Sequence, residues 1–144
     1  MEWQKNILWM FITSIILGFF VTTSLLVNDP RDIKSSQTKI YIAMFMALWM
    51  VAAELAMFPN APLWIWILTI SGIIIIFYLA RRQDFVDDRQ YVKAMIQHHS
   101  SAILTSDRIL EKTQNDEVRK LAQQISKSQQ EEIDLMNEML KFLK

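Results

Sequence analysis

Residues 91–110 read YVKAMIQHHSSAILTSDRIL, and the spacing of their apolar members predicts an amphipathic helix. His99 falls on the apolar face, where an imidazole needs a hydrogen-bond partner or a bound ligand because burying it alone is costly. His98 lies about 100° away around the helix, so we expect the two rings to diverge rather than to share one ligand. The apolar positions are Val92, Met95, Ile96, Ala102, Ile103, Ile109 and Leu110.

A second amphipathic helix is predicted over residues 118–143, with Gln129 and Glu132 as polar residues on its apolar face. Residues 111–116, EKTQND, form the polar cluster between the two helices and predict a turn, with Thr113 or Asn115 as the next N-cap. The C-terminal part is therefore expected to be a helical hairpin.

Antiparallel pairing around a turn near residues 113 and 114 would place Met95 opposite Glu132, and His99 opposite Ser128 and Gln129. Thioether sulfur favours Cu(I), whereas a site made only of imidazole and carboxylate would suit zinc or iron as well. This hypothesis gives a metal site whose candidate ligands are Met95, His98, His99, Glu132 and Met136.

A structural alternative stays open, in which His99, Gln129 and Glu132 form a buried hydrogen-bonded network that fixes the helix register and carries no ligand. The sequence has no HExxH zinc motif, no paired Glu-x-x-His motif, no nucleophile elbow and no glycine-rich phosphate loop. We therefore expect no enzymatic activity.

A lone two-helix hairpin cannot bury its apolar face from water. The simplest partner is a second copy, which would complete a four-helix bundle by two-fold symmetry. We therefore expect a homodimer or a higher oligomer that forms through the hairpin.

The N-terminal part is predicted to lie in a membrane, because the 52% apolar content of the 144 residues is concentrated there. Segments of about 7–27, 40–58 and 63–80 are long and apolar enough to cross the hydrocarbon core, with lipid as their partner. The predicted domains are thus a three-helix membrane domain, 1–83, and a hairpin domain, 84–144. There are no cysteines, which excludes disulfides and thiolate metal sites.

The charge distribution excludes one class of partner. After Gln83 the chain carries nine basic and eleven acidic residues and has no basic patch. Nucleic acid is therefore not expected to bind.

Three short motifs follow one another in the C-terminal part: MIxHHxxAI at 95–103, VRKLAxxI at 118–125 and QxxEIxxM at 129–136. Their order and spacing, over roughly residues 87–140, resemble the family called domain of unknown function 305. The AILTS segment after the histidine pair resembles its membrane-anchored branch. The resemblance implies a ferritin-like bundle, a frequent extracytoplasmic location and links to copper or heavy-metal handling. Gln97 and Thr105 depart from residues common in the family, proline and methionine, and Thr105 removes one soft-ligand candidate.

The expected location is the plasma (inner) membrane, with several spans, but two indicators disagree on the side that the hairpin occupies. Arginines and lysines near the spans favour a cytoplasmic hairpin by the positive-inside rule. The resemblance implies an extracytoplasmic one, which we favour. The expected function is transition-metal binding, with copper first, in metal homeostasis or tolerance. The alternative is a structural or interaction subunit of a larger membrane complex.

Overall fold

The structure is a computed structural model that describes the backbone of residues 2–58 and 60–143 and the side chains of residues 4–58 and 60–143. Within these residues the chain is all-α, as predicted, with five α-helices, two single-turn 3₁₀ helices and no β-strand. The α-helices are α1 (Glu2–Phe20), α2 (Gln37–Ala56), α3 (Leu63–Arg82), α4 (Asp88–Leu110) and α5 (Asp116–Met139).

Contacts divide the chain into two compact units. The first extends up to Thr23 and includes Gln37–Phe85, and the second combines Ser24–Ser36 with the chain from Val86 onward. This grouping differs from the predicted division at residues 83 and 84, because the polar loop between the first two spans packs with the hairpin.

The first unit contains three helices that are long and apolar enough to cross a membrane. Their bounds lie close to the predicted spans, but the first prediction extended too far, because α1 ends at Phe20 and a 3₁₀ turn, Thr22–Ser24, follows it. The hydroxyl of Thr23 donates to the carbonyl of Phe19 at 2.8 Å, which satisfies a carbonyl in the last turn of the helix. An uncharged run therefore did not imply a continuous helix. The candidate spans are Gln4–Ser24, Gln37–Ala56 and Leu63–Arg82.

Helix α2 is the centre of this unit, since it packs against both α1 and α3. Ala43 and Ala47 are fully buried on it. A Cβ added at Gly18 of α1 would lie 3.0 Å from the Cα of Ala43, so the two helices approach as closely as a glycine allows. Small residues at the contact are the usual means by which membrane helices pack. The second and third spans also pack against each other, and Pro59 in the segment that joins them lies outside the described residues.

The chain breaks between α3 and α4, which no glycine or proline predicted. Gln83 and Phe85 have φ of 55° and 60°, in the left-handed region, and they end α3. Asp87 then caps α4, because its carboxylate accepts the backbone N–H of Gln90 at 2.7 Å.

The second unit contains the hairpin of α4 and α5, as predicted. Asn115 caps α5 by accepting the backbone N–H groups of Glu117 and Val118. The two helices share an apolar core, in which each buried aliphatic side chain stabilises the fold by about 1.5–3 kcal/mol. The core consists of Val92, Ile96, Ile103, Ile133 and Met136, with Met95, Leu140 and Leu143 packed against it.

The loop Ser24–Ser36 covers one side of this hairpin. The hydroxyl oxygen of Ser100, fully buried in α4, accepts the backbone N–H groups of Asn28 at 3.0 Å and of Asp29 at 3.4 Å. Buried backbone donors need such partners, so this serine fixes the loop on the middle of α4.

Candidate functional site

The candidate site centres on a contact between the two helices of the hairpin. Nδ1 of His99 lies 2.9 Å from Oε2 of Glu132, and the side chains are 14% and 51% exposed. The distance is that of a hydrogen bond, but Nδ1 has no well-aligned hydrogen-bond partner within the described residues. We therefore describe the contact as an ion pair, which has its full strength when the ring is protonated.

Gln129 joins the same pair. Its Nε2 donates to Oε2 of Glu132 at 3.4 Å, a long hydrogen bond. The three polar residues that interrupt the apolar faces thus meet at one level, as the sequence predicted.

The predicted register was wrong by about one helical turn. His99 was expected opposite Ser128 and Gln129, but its contact is with Glu132. Cα–Cβ bonds tilt toward the N-terminus of their own helix, so in an antiparallel pair the side chains that touch come from Cα atoms at different heights. The prediction paired residues whose Cα atoms lie at the same height along the hairpin, and it did not include this tilt of the side chains.

The two candidate methionines belong to the apolar core of the hairpin. Met136 is buried there, and Met95 packs against the same cluster. Their thioethers therefore fill space between α4 and α5. They are buried without needing a ligand, because a thioether requires no hydrogen bond.

His98 is exposed, at the edge of the site. Its ring centroid lies 5.8 Å from that of His99, and the ring planes meet at 62°. The rings are thus closer than the predicted divergence implied, in an edge-to-face arrangement.

The pKa of His99 is lowered from its usual value near 6.5. Burial is the main cause, because it penalises the charged ring, and the neighbouring His98 lowers the pKa further. The carboxylate of Glu132 acts in the opposite direction. The ring is therefore easier to keep neutral, and a neutral ring is the form that ligates metals.

Across the described residues, no three side chains among histidines, aspartates and glutamates lie close enough together to hold a metal ion. One chain thus supplies the His99–Glu132 pair, His98 beside it and two thioethers in the core.

A second apolar stripe on α5 is open, and in the sequence it merges with the core-facing one. Its residues alternate in steps of three and four, the heptad spacing of a coiled-coil seam. Leu121 and Leu135 are 56% and 61% exposed, so neither α4 nor the loop covers them. We call this stripe the open seam; it consists of Val118, Leu121, Ile125, Ser128, Glu132, Leu135, Met139 and Phe142.

The open seam and the loop lie on different sides of α5. Gln130, Asp134 and Asn137 line a cavity together with the loop. Leu135 lies two residues from Asn137, and such residues point about 200° apart on a helix. Glu132 is the one charged residue of the seam, and its side chain is 51% exposed, so the His99 pair opens on this surface.

Comparison with known proteins supports the resemblance seen in the sequence. Residues 79–142 match the family described as a domain of unknown function, DUF305. Uncharacterized protein L153 of Acanthamoeba polyphaga mimivirus is 37% identical over 143 residues, which cover 95% of this chain and 92% of that protein. No solved structure matches the chain. The likeness to the viral protein includes the candidate spans as well as the hairpin, and with the family match it shows that the chain belongs to the domain of unknown function 305 family.

Proposed function

We propose that the protein is an integral membrane protein whose hairpin binds a transition metal, with copper as the best-fitting ion, in metal homeostasis or tolerance. One observation carries the proposal. His99, mostly buried and with its pKa lowered, touches the carboxylate of Glu132 at a point that opens on the open seam. No catalytic step is part of this proposal.

The donor set fits a soft metal. A carboxylate that holds one nitrogen of an imidazole orients the ring and leaves its other nitrogen for a metal, which is the usual outer-shell arrangement. Met95 and Met136 supply thioethers behind the pair, and these favour Cu(I). A site made only of His98, His99 and Glu132, without the two thioethers, would suit zinc or iron. When bound, the ion would supply ligand bonds that join α4 to α5.

A second copy of the hairpin would complete the site. The open seam extends over more than three heptads, and a helix with such a stripe normally packs it against another helix. Two-fold symmetry would bring two sets of His98, His99 and Glu132 into one four-helix bundle. This bundle is the ferritin-like arrangement that the family resemblance implied.

Metal binding is tested on the full-length protein in detergent, with Cu(I) competed against a chelator of known affinity and with Zn(II) measured in parallel. We expect His99→Ala to weaken Cu(I) binding about tenfold or more, and Met95→Leu and Met136→Leu to weaken Cu(I) but not Zn(II). Met57→Leu, which lies outside the hairpin and is 73% exposed, is the matched control. Equal Cu(I) affinity in His99→Ala and in the parent chain, with the fold retained by circular dichroism, would refute the proposal.

Assembly is tested separately, by light scattering of the full chain in detergent. Leu135→Asp places a charge on the open seam and should convert the dimer to a monomer, whereas Gln123→Asp adds the same charge at an exposed position about 120° away around α5 and should not. The parent chain as a monomer, or the same oligomeric state in both variants, would contradict the dimer.

A second candidate function is a structural or interaction subunit of a larger membrane complex. It is supported by the long hydrogen bond from Gln129 to Glu132, which makes His99 part of a polar network that needs no ligand. In that case neither Cu(I) nor Zn(II) would bind, and the open seam would pack on a different protein.

We also propose that the hairpin is extracytoplasmic, on the strength of the family resemblance. The basic residues Arg31, Lys34, Arg81 and Arg82 near the spans favour the other side. The chain has no cysteine, so a single cysteine introduced at Lys127, whose side chain is 80% exposed, can report on which side of the membrane the hairpin lies. Labelling of intact cells by a membrane-impermeant maleimide supports the proposal, and labelling only after lysis overturns it.

A further inference from the structure

A groove of about 200 Å³ runs between α2 and α3, and all of it lies within the first unit. Its body is apolar, and the rings of Phe45 and Phe77 come together there from the two helices, with their centroids 6.3 Å apart. Polar side chains line the part of the groove near the helix ends, where α2 begins and α3 finishes. The groove is therefore amphipathic along its length.

The uncharged polar groups at this end bond to one another. The hydroxyl of Thr38 donates to Oε1 of Gln83 at 3.5 Å, a long hydrogen bond, and Nε2 of Gln83 donates to the carbonyl of Ala80. The hydroxyl of Tyr41 donates to the carbonyl of Asp84. Arg81 differs from them, because its guanidinium makes no hydrogen bond or ion pair with any residue that the structure describes.

The charges at this end of the first unit are mostly positive. The residues are Lys39, Arg81, Arg82 and Asp84. The ammonium of Lys39 lies over the ring of Phe19 on α1, and Nε of Arg82 lies 3.4 Å from Oδ1 of Asp84. The carboxylate at this end is thus already paired, and the charged residue that lines the groove is Arg81. This arrangement is complementary to an anion and offers no free carboxylate to the ammonium group of a zwitterion.

The position of the groove along the spans matches the layers of a bilayer. A helix of 20 residues is about 30 Å long, the thickness of the hydrocarbon core, and both spans have this length. Thr38 and Arg81 lie one residue from the ends of their spans, at the level of the headgroups. Phe45 and Phe77 lie about 6–10 Å further along the helices, at the level of the acyl chains.

We propose that this groove binds one acyl chain of an anionic phospholipid, with the guanidinium of Arg81 donating to the lipid phosphate. Guanidinium matches phosphate geometry, because two of its N–H groups can donate in parallel. Basic residues beside membrane helices are a usual means of holding anionic headgroups. The inference rests on the membrane location that is part of the proposed function and is independent of the metal site.

The test is native mass spectrometry of the full-length protein in a nonionic detergent with added dioleoyl phosphatidylglycerol or dioleoyl phosphatidylcholine. We expect the anionic lipid to bind about tenfold or more tightly, as a hydrogen bond to a charged group implies. Arg81→Gln should remove this preference. Lys5→Gln removes the same charge at the start of α1 and should retain it. Equal binding of the two lipids by the parent chain, or an equal loss of preference in both variants, would overturn the proposal.

The acyl-chain part is tested with a substitution that keeps Arg81. Ala80→Phe fills the groove and should weaken the binding of both lipids, whereas Ile74→Phe enlarges an exposed side chain of α3 outside the groove and should not. Undiminished phosphatidylglycerol binding by Ala80→Phe would overturn the assignment to the groove. Displacement of the lipid by an equal concentration of glycerophosphoglycerol would show that a soluble phosphate suffices and would overturn the lipid assignment.

Membrane location is measured separately, by alkaline carbonate extraction of cell membranes that contain the full-length chain. Release of the chain would overturn the membrane part of the proposed function and this inference with it. Retention of the chain together with equal lipid binding would overturn the groove alone. Metal affinity and oligomeric state do not enter either measurement.

Discussion

Nδ1 of His99 in α4 lies 2.9 Å from Oε2 of Glu132 in α5, so the middle of the hairpin contains an ion pair whose strength depends on pH. The ring is mostly buried and the carboxylate is half exposed. Burial therefore acts on the histidine more than on its partner, and the net effect on the pKa of His99 is a decrease.

The free energy of unfolding should fall on acidification because of His99. Its pKa is lower in the folded chain than the ordinary 6.5, so the unfolded chain takes up the proton first as the pH drops. The contribution of His99 to the free energy of unfolding is therefore complete above pH 6.5. It is lost as the pH falls through the pKa that His99 has in the folded chain. Thermal unfolding in detergent between pH 7.5 and 5 should show this loss, and His99→Gln should reduce the slope.

Substitutions at the two charged neighbours of His99 should shift its pKa in opposite directions. Glu132→Gln removes the stabilising charge and should lower the pKa of His99 further, whereas His98→Gln removes a repulsive one and should raise it. The chain has two histidines, so a histidine-labelled sample gives a simple NMR titration. Shifts of the same sign in the two variants would contradict this electrostatic description.

The hairpin could be predicted because its signals are local. The apolar spacing around His99 and the cap at Asn115 fixed both helices to within a few residues. The loop at Asn28 could not be placed this way, because its position depends on one hydrogen-bond acceptor, Ser100, 72 residues further along the chain. Serine on an apolar helix face gives no signal that distinguishes such a role from a local bond.

Ser100→Ala should release the loop from α4. It removes the oxygen that accepts the N–H groups of Asn28 and Asp29, and losing a part-buried hydrogen bond costs about 0.5–1.5 kcal/mol. Ser101→Ala is the matched control, because its hydroxyl donates to the carbonyl of Gln97 within the same helix. Hydrogen exchange at the backbone of residues 28 and 29 should accelerate in the first variant alone. Acceleration in both would show that the bond does not hold the loop.

Gly18→Ala should destabilise the first unit more than Gly72→Ala. A methyl group at Gly18 meets the Cα of Ala43 at 3.0 Å, and backbone cannot move aside easily, so we expect a loss of about 1–3 kcal/mol. At Gly72 the nearest atom is the end of the Leu48 side chain at 3.3 Å, which can rotate. Alanine is about 1 kcal/mol more favourable than glycine inside a helix, and this gain should offset the cost of the contact with Leu48. Melting temperatures in detergent provide the comparison, and equal losses would argue against a tight α1–α2 contact.

The open seam was missed for a reason that the pattern itself explains. Helix α5 carries two apolar stripes, one through Ile133 and Met136 toward α4 and one through Leu121 and Leu135 away from it. In the sequence they read as a single wide face. Heptad spacing does not separate them, because the core-facing residues Ile133, Met136, Leu140 and Leu143 repeat in the same steps of three and four as the seam.

Backbone conformation at Gln83 leads to the last prediction. This residue ends α3 with φ 55° and ψ 36°, a left-handed conformation that costs a side chain with a Cβ about 1–2 kcal/mol. Glycine is the residue preferred at such a helix end, because it adopts this conformation without strain. Gln83→Gly should therefore raise the free energy of unfolding of the first unit by about 0.5–1 kcal/mol.

The side chain of Gln83 offers a competing contribution, since its Nε2 donates to the carbonyl of Ala80. Gln83→Ala separates the two effects, because it loses this bond and keeps the Cβ, and it should be slightly destabilising. Gln83→Val adds a β-branch and should be the least stable of the series, because branched side chains are the least tolerant of positive φ. The expected order of melting temperatures is therefore Gly, Gln, Ala, Val. A glycine variant that melts below the alanine variant would show that the bond to Ala80, and not backbone strain, determines stability at this helix end.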